Sequence, residues 1–304
     1  MTKSAPMQDR SHLATEKRLD ASMHLDSMTI EQAIAVMNEQ DRIAADAVTS
    51  VRGAVAVAVT LVTDALRAGG RLFYVGAGSS GRLGVLDASE CPPTFRTDPN
   101  IIQGIIAGGD IAMFRSQEGA EDRADEGAAT IDAREIGPLD VVCGIAAGGT
   151  TPFVHGALRR ARQRQAKTIF LTCVEPVASE PEVDCVIRPI TGPEVLTGST
   201  RLKAGTATKL ILNQITTISM VQLGKVYQNL MVDMRASNDK LWERGARTIV
   251  MLTGLPKPAA LELLQRADGH VKLAVVMHRR QVSIEAARDL LEQAGGRLHA
   301  VLDR

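Results

Sequence analysis

Aromatic side chains are scarce in this sequence, with one Trp, two Tyr and five Phe among 304 residues. So few rings make a stacking platform for bases or sugars hard to assemble, and Ala, Val, Leu, Ile and Met must fill the core. Net charge is absent too, Lys plus Arg numbering 35 and Asp plus Glu 35. That balance removes the global electrostatic argument for nucleic acid or an anionic membrane surface as a partner, so any anionic ligand must be held locally. No charge-free apolar run reaches the length of a membrane span; the longest, Ala54 to Val62, lies between Arg52 and Asp64. Cys91, Cys143, Cys173 and Cys185 form no CxxC pair, and the six His are scattered. Buried free thiols in a reducing cytoplasm are expected, with no metal site. Met1 to Ser11 has no apolar h-region and does not read as a secretory signal.

What is present is an ordinary globular balance, 45% hydrophobic and 23% charged, at a length that suits one large domain or two smaller ones. Residues 1–28 are polar and read as an arm on the surface or on a partner subunit. Thr29 opens a helical pattern with an apolar stripe of Ile30, Ile34, Val36 and Met37, and a second helix is expected from Ala44 to Leu66, stopping at Gly69-Gly70. Arg71 to Val75 reads as a strand, Gly76-Ala77-Gly78-Ser79-Ser80-Gly81 as a loop, and Arg82 onward as a helix. The unit recurs with the strand Val141 to Ile145, the loop Ala146 to Pro152 and the helix Phe153 to Gln165. Further strands are expected at Ile101 to Ala107, Lys167 to Cys173 and Asp184 to Pro189, with a helix between Asp110 and Ala120. Strand and helix alternation predicts an α/β fold, a three-layer sandwich around a parallel sheet.

From Ser199 to Asn229 the pattern predicts a helix apolar nearly all round, buried against the sheet and a second subunit. The tail predicts a compact three-helix unit, with helices over Ala259 to Ala267, Val271 to His278 and Ser283 to Ala294. The expected divisions are an arm with helices (1–50), an α/β domain (51–247) and a C-terminal helical domain (248–304).

A Gly/Ser turn between strand and helix leaves backbone N–H groups free at a helix N-terminus, where the dipole favours an anion. Gly76-x-Gly78-x-x-Gly81 satisfies GxGxxG, which by itself is either an anion cradle or a tight turn; no Gly-Lys-Ser/Thr follows, so it is not a Walker loop. Ser79 and Ser80 suit a phosphate monoester, and Gly149-Thr150-Thr151 would offer a second set of donors at the same edge of the sheet.

Two carboxylates are candidates for acid/base work. Glu90 precedes Cys91-Pro92-Pro93, where the prolines are expected to end the helix and leave the carboxyl partly desolvated, raising its pKa. Glu121 sits in Glu118-Gly119-Ala120-Glu121-Asp122, where like charges act in the same direction. The plainer reading of each is a solvated helix end. If the helix were continuous, Ser80 and Glu90 would lie about 15 Å apart, whereas C3 of an open-chain hexose 6-phosphate lies roughly 6–7 Å from phosphorus. Either the helix breaks, or Glu90 faces a neighbouring subunit's site.

These stretches, Gly76 to Gly84, Asp87 to Thr94, Glu118 to Asp122, Gly149 to Pro152 and Thr197 to Thr206, with Gly224-Lys225-Val226 and Asn229 to Asp233, closely resemble the bacterial N-acetylmuramic acid 6-phosphate etherases over nearly the whole chain. The N-terminal arm departs from that pattern, since Leu19-Asp20 follows Arg18 where the family has Asn-Pro. The resemblance implies a sugar isomerase (SIS) fold with a small UBA-like tail, a homodimer, no metal or other cofactor, and cleavage of a lactyl ether of a sugar phosphate. It maps two catalytic glutamates onto Glu90, the acid for departing lactate, and Glu121, an acid/base near C2, in an assignment that can be exchanged. It makes Gly78, Ser79, Ser80, Gly149, Thr150 and Thr151 phosphate ligands. Glu194 is a further candidate near the sugar, or else a charge at a helix N-terminus. A sugar-phosphate sensor on the same fold is the rival reading, and an aldose–ketose isomerase a third.

Overall fold

The computed structural model describes Ser11, residues 13–234 and residues 239–302; Met1 to Arg10, where no secretory signal is expected, lie outside the described residues. The chain divides into two compact units, Met1–Ser89 with Asn100–Ile215, and Glu90–Pro99 with Thr216–Arg304.

The first unit opens on short 3-10 turns between Ala14 and Ser27, then α1 (Ile30–Ser50) and α2 (Arg52–Arg67). Thr29 caps α1 in a reciprocal box, its hydroxyl accepting from Gln32 N–H while the Gln32 side chain accepts from Thr29 N–H. The break between α1 and α2 falls at Val51, later than the second helix was expected to begin at Ala44. Alternation then follows: β1 (Leu72–Gly76), α3 (Gly78–Phe95), β2 (Ile102–Ile106), α4 (Ala124–Ala133), β3 (Val141–Ile145), α5 (Pro152–Gln163), β4 (Lys167–Leu171), β5 (Cys185–Ile187) and α6 (Lys203–Gln222). The helix expected between Asp110 and Ala120 is instead two 3-10 turns, Asp110–Met113 and Ala120–Asp122. Gly109 and Gly119, both at positive φ, interrupt the path.

All five strands pair in parallel in the order β2-β1-β3-β4-β5. One face, carrying Phe73, Val75, Val142 and Phe170, packs with Ile131 of α4 and Phe153, Val154 and Leu158 of α5. Phe73 and Phe170 are fully buried, each contributing about 1.5–3 kcal/mol relative to exposure. On the other face α2 lies over β1, β3 and β5, and Gly84 of α3 sits so close to Tyr74 that an added Cβ would meet the Tyr74 Cβ at 2.7 Å. The result is three layers around a parallel sheet.

At the N-terminal edge of the sheet one carboxylate gathers several donors. Asp140 accepts from the backbone N–H, Nε and Nη2 of Arg71 at 2.9, 3.1 and 2.8 Å, and from the Gly137 N–H at 3.0 Å. This staples the starts of β1 and β3 together, and the Arg71 guanidinium lies 4.8 Å from the Phe73 ring centroid.

Along α6, Ala204, Ala207, Ile211, Leu212 and Ile215 are buried, whereas Ile218 and Val221 are 42% exposed in the single chain. The second unit adds a short hairpin, β6 (Val226–Tyr227) and β7 (Leu230–Met231), then α7 (Asp239–Thr253), α8 (Lys257–Arg266), α9 (Val271–Arg280), α10 (Ile284–Gln293) and α11 (Leu298–Leu302). The expected three helices are α8 to α10, but α7 packs on α8 and α9, and α11 on α9 and α10. Residue 247, the expected boundary, falls inside α7. Lys272 pins this unit from within, its Nζ donating to the carbonyls of Gly224 at 3.0 Å and Gly296 at 2.9 Å, with Asp233 at 3.6 Å. No single helix among the described residues is long and apolar enough to cross a membrane.

Candidate active site

In a sheet of order 2-1-3-4-5 the connections run outward in opposite directions from the β1/β3 pair, so a crevice opens beyond the C-terminal ends of those two strands. Gly76 and Ile145, the last residues of β1 and β3, are register partners. The two small-residue loops therefore start side by side.

The first loop is shorter than its sequence suggests. α3 begins at Gly78, at φ +52°, which puts Ser79 and Ser80 in the helix's first turn rather than in a loop ahead of it. Early entry brings Gly81 against Gly76: a Cβ on Gly76 would meet Gly81 N at 2.6 Å. The free N–H groups of that turn point to the edge where an anion is favoured.

The second loop turns at Gly149, φ +73°, whose N–H donates to the Ala146 carbonyl at 2.9 Å. Thr150 is buried, Thr151 half-buried, and Pro152 occupies the first turn of α5. His155, buried on α5, donates from Nε2 to the Gly149 carbonyl at 2.9 Å and stands edge-on to Phe170, ring centroids 5.7 Å apart. Burial holds its imidazole below the ordinary His range, the bond to Gly149 opposing.

Beside the first loop is a cavity of about 200 Å³ whose walls include Gly78, Arg82, Ala107, Gln117, Gly119 and Glu121. Glu121 is exposed in the 3-10 turn Ala120–Asp122. The structure thus brings Glu121 to the first loop. Arg82 was not singled out from the sequence; its Nε donates to the Met113 carbonyl at 3.0 Å and its Nη2 to that of Ala112 at 2.7 Å. Its only signal was the need for a local cation in a neutral chain.

Glu90 is placed differently. α3 does not end at the prolines: Pro92 and Pro93 lie inside it, and the helix closes at Phe95 with Arg96 N–H on the Pro92 carbonyl and Arg96 at φ +54°. The two prolines remove two N–H donors, yet the helix runs on for two more residues. Glu90 is exposed, so its own chain does not supply the apolar burial expected for it. The unbroken helix sets it about 15 Å along from Ser80.

Glu194 is fully buried and both its oxygens are taken by the start of α6, Oε2 by Lys203 N–H at 2.8 Å and Oε1 by Ala204 N–H at 3.0 Å. Burial raises its pKa, opposed by those two bonds. This is the placement of a helix-capping carboxylate. Next to it, Lys203 is buried with its Nζ on Gln40 Oε1 at 2.7 Å.

The four cysteines are buried and in no disulfide among the described residues; burial pushes Cys143 up, and Cys173 to about 12. Among the described residues no group of three or more His, Cys, Asp or Glu could hold a metal ion.

A crevice at the switch point, walled by two loops of small and hydroxylic residues, is the arrangement of a SIS-type α/β domain. Residues 54–162 match the family model described as the glucokinase regulatory protein N-terminal SIS domain. In fold the chain is similar to a phosphoheptose isomerase from Francisella tularensis, at a TM-score of 0.48 and 17% identity over 64% of this chain and 100% of that one. Closer relatives span the whole length. The N-acetylmuramic acid 6-phosphate etherase of Trichormus variabilis is 52% identical over 296 residues, covering 97% of this chain and 96% of its own. That of Gloeothece citriformis is 50% identical over 299 residues, covering 98% and 97%. The chain belongs to the N-acetylmuramic acid 6-phosphate etherase family.

Proposed function

We propose that this protein cleaves the D-lactyl ether of N-acetylmuramic acid 6-phosphate, giving N-acetylglucosamine 6-phosphate and D-lactate. The observation that carries this reading, beside the full-length relatives, is the cavity that joins Gly78 of the first loop to Glu121. Ser79, Ser80, Thr150 and Thr151, with the N–H groups around Gly78 and Gly149, hold the phosphate. In the open-chain sugar the C1 aldehyde acidifies the C2 proton. Glu121 removes it; the electron pair forms the C2–C3 double bond as the C3–O bond breaks, and Glu90 protonates the departing lactate oxygen. Water then adds its oxygen to C3 and C2 regains a proton, so the sum is ether plus water to alcohol plus lactic acid.

The continuous α3 supports a shared site, in which Glu90 serves the crevice of a second copy in a homodimer. An exposed apolar stripe on α1, Ile30 at 81%, Ile34 at 53% and Met37 at 39%, supports a partner surface. Four free thiols support a cytoplasmic setting. The C-terminal helices are read as the UBA-like module of the family, and Glu194 as the clamp on α6 rather than a sugar ligand.

The test is D-lactate release from the purified protein in deuterated water, with deuterium entering C2 of the product; saturable binding without lactate would mean a sensor instead. Glu121→Gln and Glu90→Gln should each lower kcat roughly a hundred- to ten-thousandfold while product binding persists. Mixed and reassorted, the two inactive variants should recover about a quarter of wild-type activity if the site is shared, since each mixed dimer rebuilds one intact crevice; no recovery would place both glutamates in one chain.

A further inference from the structure

The substrate in the etherase reading carries two anions, a phosphate and the carboxylate of the lactyl group, and the product sugar keeps only the phosphate. The two loops account for one of them. A second cavity, of about 440 Å³, adjoins the first loop and is walled by Ser79 and Arg82 from α3 and by Arg201, Gly205, Thr206 and Lys209 at the start of α6. Its lining holds three cations and no carboxylate. In a chain of zero net charge that is a local excess with nothing in the lining to balance it.

Arg82 is already committed to the carbonyls of Ala112 and Met113. Arg201 and Lys209 are exposed, and neither side chain makes a hydrogen bond or ion pair to any described residue. Other cations of this unit behave otherwise: Lys203 is buried on Gln40, Arg71 is held by Asp140, and Arg188 is paired with Glu180 at 2.7 Å. Arg201 and Lys209 are thus poised around a hydroxyl, Thr206, with nothing to bind.

Resting on the etherase reading, we propose that Arg201 and Lys209, with Thr206, form a carboxylate subsite that recognises the lactyl carboxylate of the substrate. A backbone cradle at a helix N-terminus suits a phosphate, whereas a planar carboxylate is best met by charged side-chain donors. The subsite separates substrate from product. It holds the ether before cleavage and releases the sugar once the carboxylate has departed.

Arg201→Gln and Lys209→Gln are tested for lactate release and, separately, for calorimetric binding of N-acetylglucosamine 6-phosphate, which has the phosphate and lacks the carboxylate. Each should raise KM for the ether roughly ten- to a hundredfold, the worth of one charged hydrogen bond. Product affinity should stay within about twofold of wild type, which also shows that the fold is intact. Lys209→Arg, which keeps the cation, should retain most of the affinity. An unchanged KM, or a product affinity that falls in step with it, overturns the subsite; the second result would mean that the cavity takes phosphate. A wild-type protein that releases no lactate instead overturns the etherase reading, and the subsite with it.

Discussion

After β1 the turn is shaped by glycines in van der Waals contact: a Cβ on Gly76 would meet Ser80 C at 2.8 Å, and one on Gly81 would meet the Gly76 carbonyl at the same distance. After β3 the turn is tied down by side chains, His155 on the Gly149 carbonyl at 2.9 Å and Thr172 Oγ1 on the Ala147 carbonyl at 3.4 Å. One wall of the crevice is held by the exclusion of atoms, the other by attachment. Exclusion leaves no room for an extra carbon, whereas attachment can be loosened by degrees. Loss of shape should be abrupt in the first loop and graded in the second.

Gly76→Ala should have the largest effect. The obstructing atoms are backbone, which no rotamer can clear, so a loss of about 3 kcal/mol in urea unfolding and loss of sugar-phosphate binding are expected. Stability within about 0.5 kcal/mol of wild type would erase the contrast.

Gly149→Ala should cost less, about 1–2 kcal/mol, from the positive φ and a 2.9 Å approach to Val174 Cγ2, the end of a side chain that can move. KM should rise while kcat holds, because the loop binds and the glutamates react.

His155→Gln should be mildest, about 1 kcal/mol at neutral pH, since an amide can still reach the Gly149 carbonyl. Its signature is in pH. The folded-state pKa of His155 is depressed by burial, so on acidification the unfolded chain takes up a proton first. Wild-type stability is fully present above the ordinary value near 6.5 and declines as pH falls from there toward the depressed value. The glutamine variant should lose that part of the slope in urea titrations between about pH 7 and 5; parallel slopes would remove His155 from the comparison.

Much of this layout was readable in the residues because local chemistry dominates it. Val141 to Ile145 is a strand with the expected bounds, and the helix expected to open at Thr29 does so, with Thr29 as its cap. The readings that shifted lie at the two ends of α3. Pro92 and Pro93 stay helical, and the last turn closes with Arg96 N–H on the Pro92 carbonyl. α3 starts at Gly78, which brings Gly81 against Gly76 and shortens the expected loop. The cavity wall at Arg82 was hidden: the carbonyls that orient it, at Ala112 and Met113, lie some thirty residues away in an irregular stretch with no periodic signal. Glu194 had two readings, and only the folded positions of Lys203 and Ala204 show which atoms occupy it.

The staple between Asp140 and Arg71 also sets an order of events during synthesis. These two residues are 69 positions apart, and they join the strands whose far ends carry the two loops. β1 cannot acquire its central neighbour until the whole excursion through α3, β2 and α4 has been made and closed, a long-range step of the kind that slows folding. A nascent chain that ends before Asp140 therefore carries the first loop and Glu121 but no crevice, and binding competence arrives with the third strand.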